Sequence, residues 1–422
     1  MKKCVLGEIA DLIPGVSYTP DGIASSGIRI LRGGNINSSE LQLKEDDVIL
    51  SESYQCKDNE VHEGDTIVVA SSGSADAFGK AATSWVDLPG VQIGAFLRIV
   101  RPRKREYAAL VSAWVTQPIF QRYIGSVAKG TGINNIRKEY IEKYPINVDD
   151  SGLEQFSELY ESICKKIALN RKRIATLEAM AKEIYDYWFV QFDFPDAHGR
   201  PYKSSGGAMV YNPDLKREIP KGWEVKSIND CGEFFRGVAY SHEDEKQCGE
   251  NVVLVMRGNN IKCGHIVDDS DRVFIDKAIV GQDQLMTKFS VLFAMSSGSK
   301  EHVGKTAVYY DYPAMAAYGA FCSKYVPSDS YRYFMFNFLS SSTYRAFVKR
   351  ICGGTGINNM KEEYFNVPLF ALPGDIGQVR KFNELTATIY AQVYNCTQEM
   401  SKLMSLRDFL LPLLMNGQVK VA

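Results

Sequence analysis

Apolar residues recur at alternating steps of three and four along two long stretches of the chain. In the first, Leu153, Phe156, Tyr160, Ile163, Ile167, Asn170, Ile174, Leu177, Ala181, Ile184 and Trp188 form one stripe. In the second, the stripe is Val379, Phe382, Thr386, Ile389, Val393, Cys396, Met400, Leu403, Arg407 and Leu410. A period of about 3.5 residues held this long is the seam of a coiled coil. Two such helices in one chain are natural partners. Ile163, Ile167, Asn170 and Ile174 on one and Ile389, Val393, Cys396 and Met400 on the other are the expected seam. Asn170 there favours one register at some cost in stability. A helix over 153–190 measures about 57 Å at about 1.5 Å per residue, the length of a spacer. The competing expectation is that each helix packs only on its own domain.

Ahead of each long helix the pattern changes. Residues 65–70 (Asp-Thr-Ile-Val-Val-Ala) and 290–295 (Ser-Val-Leu-Phe-Ala-Met) are short apolar runs, rich in β-branched or aromatic side chains, that end in Ser-Ser-Gly. They predict strands running into turns. Residues 107–123 and 331–350 carry helical spacing. Each unit is therefore mixed α/β.

The two halves are copies of each other. Ile30-Leu31-Arg32-Gly33-Gly34-Asn35-Ile36 returns as Val255-Met256-Arg257-Gly258-Asn259-Asn260-Ile261, and Ser71-Ser72-Gly73-Ser74 as Ser296-Ser297-Gly298-Ser299. Gly79-Lys80 returns as Gly304-Lys305, and Gly94-Ala95-Phe96 as Gly319-Ala320-Phe321. All four pairs are displaced by 225 positions. Gly130-Thr131-Gly132-Ile133-Asn134-Asn135 returns as Gly354-Thr355-Gly356-Ile357-Asn358-Asn359, displaced by 224. Domain boundaries follow: 1–150, a first helix over 151–192, a linker and second domain over 193–375, and a second helix with its tail over 376–422. Residues 196–207, polar and Gly-rich, form the linking loop, and the second copy opens near Pro220-Lys221-Gly222-Trp223.

At 422 residues, 45% hydrophobic and 23% charged, the chain has the composition of a folded multidomain protein. It contains no apolar run long enough for a membrane span, and Met1-Lys2-Lys3-Cys4-Val5-Leu6-Gly7-Glu8 turns acidic before a signal core forms. Nine scattered cysteines without a Cys-x-x-Cys pair, and five dispersed histidines, point to buried thiols in a reducing cytoplasm and to no metal. The net charge of −1 is unusual for a protein that grips duplex DNA alone, because phosphate neutralisation supplies much of that affinity. If DNA is the ligand, partner subunits contribute positive surface.

Enzyme-like motifs fail on spacing. Gly298-Ser299-Lys300-Glu301-His302-Val303-Gly304-Lys305-Thr306 has five residues where a phosphate loop needs four, and its counterpart ends Gly79-Lys80-Ala81 without a hydroxyl. Asn212-Pro213-Asp214-Leu215 lacks the second proline and the aromatic of an amino-methyltransferase motif. No nucleophile–base pair or metal cluster can be assembled.

The ordered set of features resembles the specificity subunit of type I restriction–modification enzymes, over essentially the whole chain. It comprises the two-fold repeat, Gly-Thr-Gly-Ile-Asn-Asn before each long helix, Trp188-Phe189-Val190-Gln191-Phe192-Asp193-Phe194-Pro195 at the first helix end, Ile219-Pro220-Lys221-Gly222-Trp223 opening the second half, and Leu406-Arg407-Asp408-Phe409-Leu410-Leu411 near the end. The first copy lacks a Pro-x-Gly-Trp opening. The resemblance implies two target-recognition domains, each reading half of a split DNA site, held apart by an antiparallel helix pair in a pseudo-two-fold arrangement. It implies no catalysis and no cofactor in this subunit. Two methyltransferase subunits carrying S-adenosylmethionine dock on it, and restriction subunits add ATP-driven translocation and cleavage. Half-sites then lie roughly one DNA turn, about 34 Å, apart.

If the copies read different half-sites, residues shared by both cannot carry the difference. Arg32, Asn35, Lys80, Thr131, Asn134, Asn135, Arg257, Asn260, Lys305, Thr355, Asn358 and Asn359 are therefore phosphate or scaffold candidates. The paired asparagines are candidate caps for a following helix. Base reading belongs where the copies diverge: the loop with Ser74, Asp76 and Phe78, the loop with Ser299, Lys300, Glu301 and His302, and the segments holding Tyr18, Arg29 and Tyr240. A solvated hairpin tip is the plainer reading of those loops. The basic run Arg98, Arg101, Arg103, Lys104, Arg105 is either a phosphate contact or a solvated face. The alternative functions left open are a duplicated protein-interaction scaffold and an orphan specificity subunit without modifying partners.

Overall fold

The computed structural model describes residues 2–37, 40–44, 46–72, 77–127, 136–148, 152–267, 272–298, 302–311, 315–352 and 358–415. By its contacts the chain divides into two units, Met1–Ala168 with Leu403–Ala422, and Leu169–Lys402. Each long helix thus contributes to both.

In the first unit, the strands Ala10–Pro14, Leu97–Pro102, Thr66–Val69 and Ala81–Thr83 make one antiparallel sheet in that order. Val48–Leu50, Ile23–Leu31, Leu88–Ile93 and Glu60–Val61 make a second, in which Ile23–Leu31 and Leu88–Ile93 run parallel. The run Thr66–Val69 is buried throughout because both its faces are covered. Ile67 and Val69 join Leu31, Val91 and Ile93 between the sheets. Val68 and Ala70 join Leu110, Phe120 and Ile124 beneath the helices Ala108–Val115 and Pro118–Val127. The result is three layers, sheet on sheet on helices. The end strands Lys2–Val5 and Pro145–Val148 pair antiparallel, which brings the first long helix out beside the start of the domain.

The second unit repeats this plan. Gly232–Arg236, Cys322–Pro327, Val291–Ala294 and Thr306–Val308 form the antiparallel sheet, and Val252–Met256 with Ala316–Tyr318 supply the parallel pair. Trp223–Lys226 and Phe370–Pro373 close the domain as Lys2–Val5 and Pro145–Val148 do. Asn212-Pro213-Asp214-Leu215 is a hairpin turn between Met209–Asn212 and Arg217–Pro220, with the Asn212 side-chain oxygen accepting from the N–H groups of Asp214 and Leu215 at 3.0 Å.

The first long helix is α-helical over Leu153–Tyr185 and ends in a π turn, Asp186–Val190. The second spans Ile376–Met415 with Pro412 near its end. Within the second unit they run antiparallel. Asn170 lies near Glu399, its amide donating to Glu399 Oε2 at 2.8 Å, while Trp188 lies near Phe382 with ring centroids 5.8 Å apart. Ile163, Ile167, Asn170, Ile174 and Val393 are buried, whereas Ile389, Cys396 and Met400 are half-buried. The seam is not a pair alone. Tyr390 stacks on Tyr333 at 4.9 Å and Tyr185, on the first helix, meets Phe334 of the second domain at 5.5 Å, so the helices pair and both enter the core of the second domain, and the first does not pack only on its own domain. The thiols depart from expectation: Cys231, Cys322 and Cys352 are buried, but Cys56, Cys248 and Cys263 are exposed. Among the described residues, no helix is long and apolar enough to cross a membrane.

Candidate nucleic-acid interface

The second unit holds a cleft of about 560 Å³ whose wall includes Tyr240, His242, Arg257, His302, Phe321 and Cys322. Four segments distant in sequence meet there. Val238 bridges to Gly319 and donates to the Tyr318 carbonyl at 2.8 Å. This contact requires glycine at 237, since a Cβ there would stand 2.2 Å from the Gly319 oxygen. Arg257 opens a tight turn closed by Asn260, which accepts from the Arg257 N–H at 2.9 Å and donates to the Val267 carbonyl at 2.9 Å. Ser296–Ser297 pair with Asn358–Asn359, which joins the Ser-Ser-Gly turn to the end of Gly-Thr-Gly-Ile-Asn-Asn. These asparagines form a strand and do not cap a helix; the N-cap of the following Glu362–Asn366 turn is Lys361.

Among the described lining residues Arg257 is the cation; just behind the wall Ser241 donates to the Asp244 carboxylate at 2.8 Å and His242 lies 3.2 Å from that of Glu245. Lys305 Nζ lies 2.7 Å from His302 Nδ1. Burial pushes the Cys322 thiol up to about 12, outweighing the pull of Arg257, so it is a wall group and not a nucleophile.

The first copy builds the same frame. Val16 bridges to Gly94 and donates to the Ile93 carbonyl at 2.8 Å, with Gly15 required because a Cβ would stand 2.0 Å from the Gly94 oxygen. Asn35 accepts from the Arg32 N–H at 2.7 Å and donates to Gln42 O at 2.8 Å and Asp47 Oδ1 at 2.6 Å. Tyr18 and Tyr240 are half-buried at equivalent places.

Other sequence candidates divide. Phe78 and Val303 are buried and pin the ends of the divergent loops: Gln121 donates to the Phe78 carbonyl at 3.0 Å, and Arg345 to the Val303 carbonyl at 2.9 Å. The Phe78 ring thus faces the core, away from any base. Asn35 and Asn260, both buried, hold loops. Arg29 lies 3.6 Å from the buried carboxylate of Asp47. Lys80 and Asn359 are exposed. Ser74, Asp76, Ser299, Lys300, Glu301, Thr131, Asn134, Asn135 and Thr355, and the side chain of Asn358, lie outside the described residues. The basic run is engaged inside its own unit. Arg98 donates to the Ala95 and Leu97 carbonyls, Arg101 pairs with Asp65, Arg103 with Asp11, Lys104 with Glu106 and Arg105 with Glu161.

Sequence reasoning missed two features. Gly15-Val16-Ser17-Tyr18 and Gly237-Val238-Ala239-Tyr240 are a further repeat, visible at a displacement of 222. Phe96 and Phe321 lay in a recognised repeat, but only the structure places them in solvent, 67% and 73% exposed.

Comparison with known proteins adds names. No family model matches. Over 178 residues the chain is 31% identical to the EcoKI specificity subunit of Escherichia coli, a type I restriction enzyme, covering 42% of this chain and 38% of that one. It is 24% identical over 272 residues to the MjaIX specificity subunit of Methanocaldococcus jannaschii, covering 64% of this chain and 57% of that one. This chain is a relative of the type I restriction-enzyme specificity subunits. The matches span well under two thirds of these relatives' length. A type I S subunit from M. genitalium superposes over 97% of this chain and 94% of its own at 13% identity, with a TM-score of 0.49.

Proposed function

We propose that this chain is the DNA-sequence-reading subunit of a type I restriction–modification complex and is itself non-catalytic. The observation that carries the reading is the duplicated cleft frame. Each copy presents an Arg-Gly-x-Asn turn, a Ser-Ser turn and an exposed Phe side by side, and residues that differ between copies surround them. A shared frame positions the protein on the duplex, and the variable residues supply the sequence preference. On this reading residues 1–150 and 193–375 are the two recognition domains and the helices at 151–192 and 376–422 set the gap between half-sites. Two methyltransferase subunits, with S-adenosylmethionine, and the ATP-dependent restriction subunits dock in the cytoplasm. Their basic surface answers the net charge of −1.

The test is to co-express the chain with a type I modification subunit in a methylation-free host and map modified adenines. A split motif present only with this chain is the expected result. Co-purification without modification would favour an interaction scaffold, and no co-purification would overturn the reading.

A further inference from the structure

The interiors of the two copies have drifted apart while one exposed aromatic has not. Leu12, Val68, Val100 and Ile141 in the first copy occupy the places of Phe234, Phe293, Tyr325 and Phe365 in the second. Phe96 and Phe321 are the same residue at the same turn. A single exposed apolar residue needs no explanation, but one retained at a matching position while the core beneath it changed is a candidate for binding.

Its mounting is rigid. The turn is closed by Leu97 N–H to Gly94 O at 2.9 Å, and by Cys322 N–H to Gly319 O at 2.8 Å in the other copy. The Phe96 carbonyl accepts from Ala70 and Ser71 at 2.8 and 3.0 Å, and that of Phe321 from Met295 and Ser296 at 2.9 and 3.1 Å. The turn joins the two sheets of its domain, since Leu88–Ile93 belongs to one and Leu97–Pro102 to the other. Phe321 lines the wall shared with Arg257 and His302, and in the first copy a Cβ built on Gly94 would stand 4.0 Å from Arg32 Cγ. An apolar ring on a fixed turn beside an arginine suits a polyanion with aromatic faces better than an apolar protein groove.

We infer that Phe96 and Phe321 are equivalent wedges that enter a base step of duplex DNA, one in each half-site, and contribute affinity without sequence preference. Apolar side chains inserted this way unstack a step and kink the duplex. The inference rests on the proposed DNA-reading function.

The experiment uses the assembled modification complex and duplexes carrying 2-aminopurine at successive positions through one half-site. Phe321→Ala is expected to weaken binding about tenfold, the scale of one lost base–aromatic contact. It should also remove the fluorescence rise at one half-site only; Phe96→Ala does the same at the other. Phe321→Trp retains both signals, and the methylated motif is unchanged throughout. Unaltered affinity and fluorescence in both alanine variants, with the unsubstituted complex binding its site, would overturn the wedge alone. A changed motif would also overturn it, making the ring a base reader, as would loss of the methyltransferase subunit from the complex, making it a protein contact. An unsubstituted complex that binds no DNA would overturn the functional reading together with the wedge.

Discussion

The two repeated domains are built on one backbone plan with different interiors. In the first, Thr66 and Thr83 share a hydrogen bond at 2.8 Å and Thr83 donates to Ser112 at 2.8 Å, a buried chain of hydroxyls. The matching positions in the second are Val291, Val308 and Phe336. Asp65, 1% exposed, takes a two-point pair from Arg101 at 2.9 and 2.7 Å; its counterparts are Ser290 and Val326. Where the first domain has the aliphatic Leu12, Val68, Val100 and Ile141, the second has an aromatic cluster, in which the Phe234 ring centroid lies within 5.1 Å of those of Phe293, Tyr325 and Phe365. Polar groups and their partners were replaced as sets. A buried donor or acceptor left without its partner loses its full hydration, whereas an apolar set of similar volume does not. Arg32 with Asn35, Ser71 with Ser72, and Gly94 with Phe96 are retained as Arg257 with Asn260, Ser296 with Ser297, and Gly319 with Phe321.

That contrast can be broken by exchanging single members of a set. Arg101→Ala leaves the Asp65 carboxylate buried without its cation and should cost the first domain about 3 to 5 kcal/mol. Amide exchange over Thr66–Val69 should accelerate accordingly while Val291–Ala294 stays protected; equal protection in both strands would show that the pair does not hold the first domain. Phe293→Val places the first copy's residue in the aromatic cluster and should cost about 2 to 3 kcal/mol through the cavity it leaves. Replacing Phe234, Phe293, Tyr325 and Phe365 together by Leu, Val, Val and Ile should cost less than the four single changes summed, because the sites touch. Strict additivity would mean that the cores are not exchanged as units. The smallest effect belongs to the hydroxyl chain. Thr66→Val removes one of the two bonds of the Thr83 hydroxyl, its bond to Ser112 remaining, and should cost about 1 kcal/mol, and adding Thr83→Val and Ser112→Ala removes the remaining polar members and should recover most of it. Local exchange is the proper readout in each case, since a chain of two units has no single unfolding free energy.

Much of this was legible in the chain. The long helices were legible because a seam repeats in sequence at the spacing it has in space. Thr66–Val69 and Val291–Ala294 were legible as strands because an apolar run too short for a helix needs cover on both faces. The duplication was legible wherever a turn demanded particular residues, as at Arg32 to Asn35 and at Gly94. The hidden parts depend on what lies across from a residue. Phe78 and Phe96 are both phenylalanines in loops of the first domain, yet one anchors its loop beneath a helix and the other points to solvent. The basic run from Arg98 to Arg105 reads as a free cationic face until its partners Asp65, Asp11 and Glu161 are folded against it.

Periodicity, repeat spacing and turn chemistry are local, so the sequence by itself determined the two copies, their mixed α/β character, the two long helices and the kinship with specificity subunits. Tertiary structure alone decided which cations are spent on internal carboxylates, which loop ends are buried, and that the Ser-Ser-Gly and Gly-Thr-Gly-Ile-Asn-Asn repeats adjoin in the second domain. It also decided that the seam is shared with the second domain's core. Each of these is set by contacts between residues far apart in the chain, and no local pattern encodes which distant partner a side chain will meet.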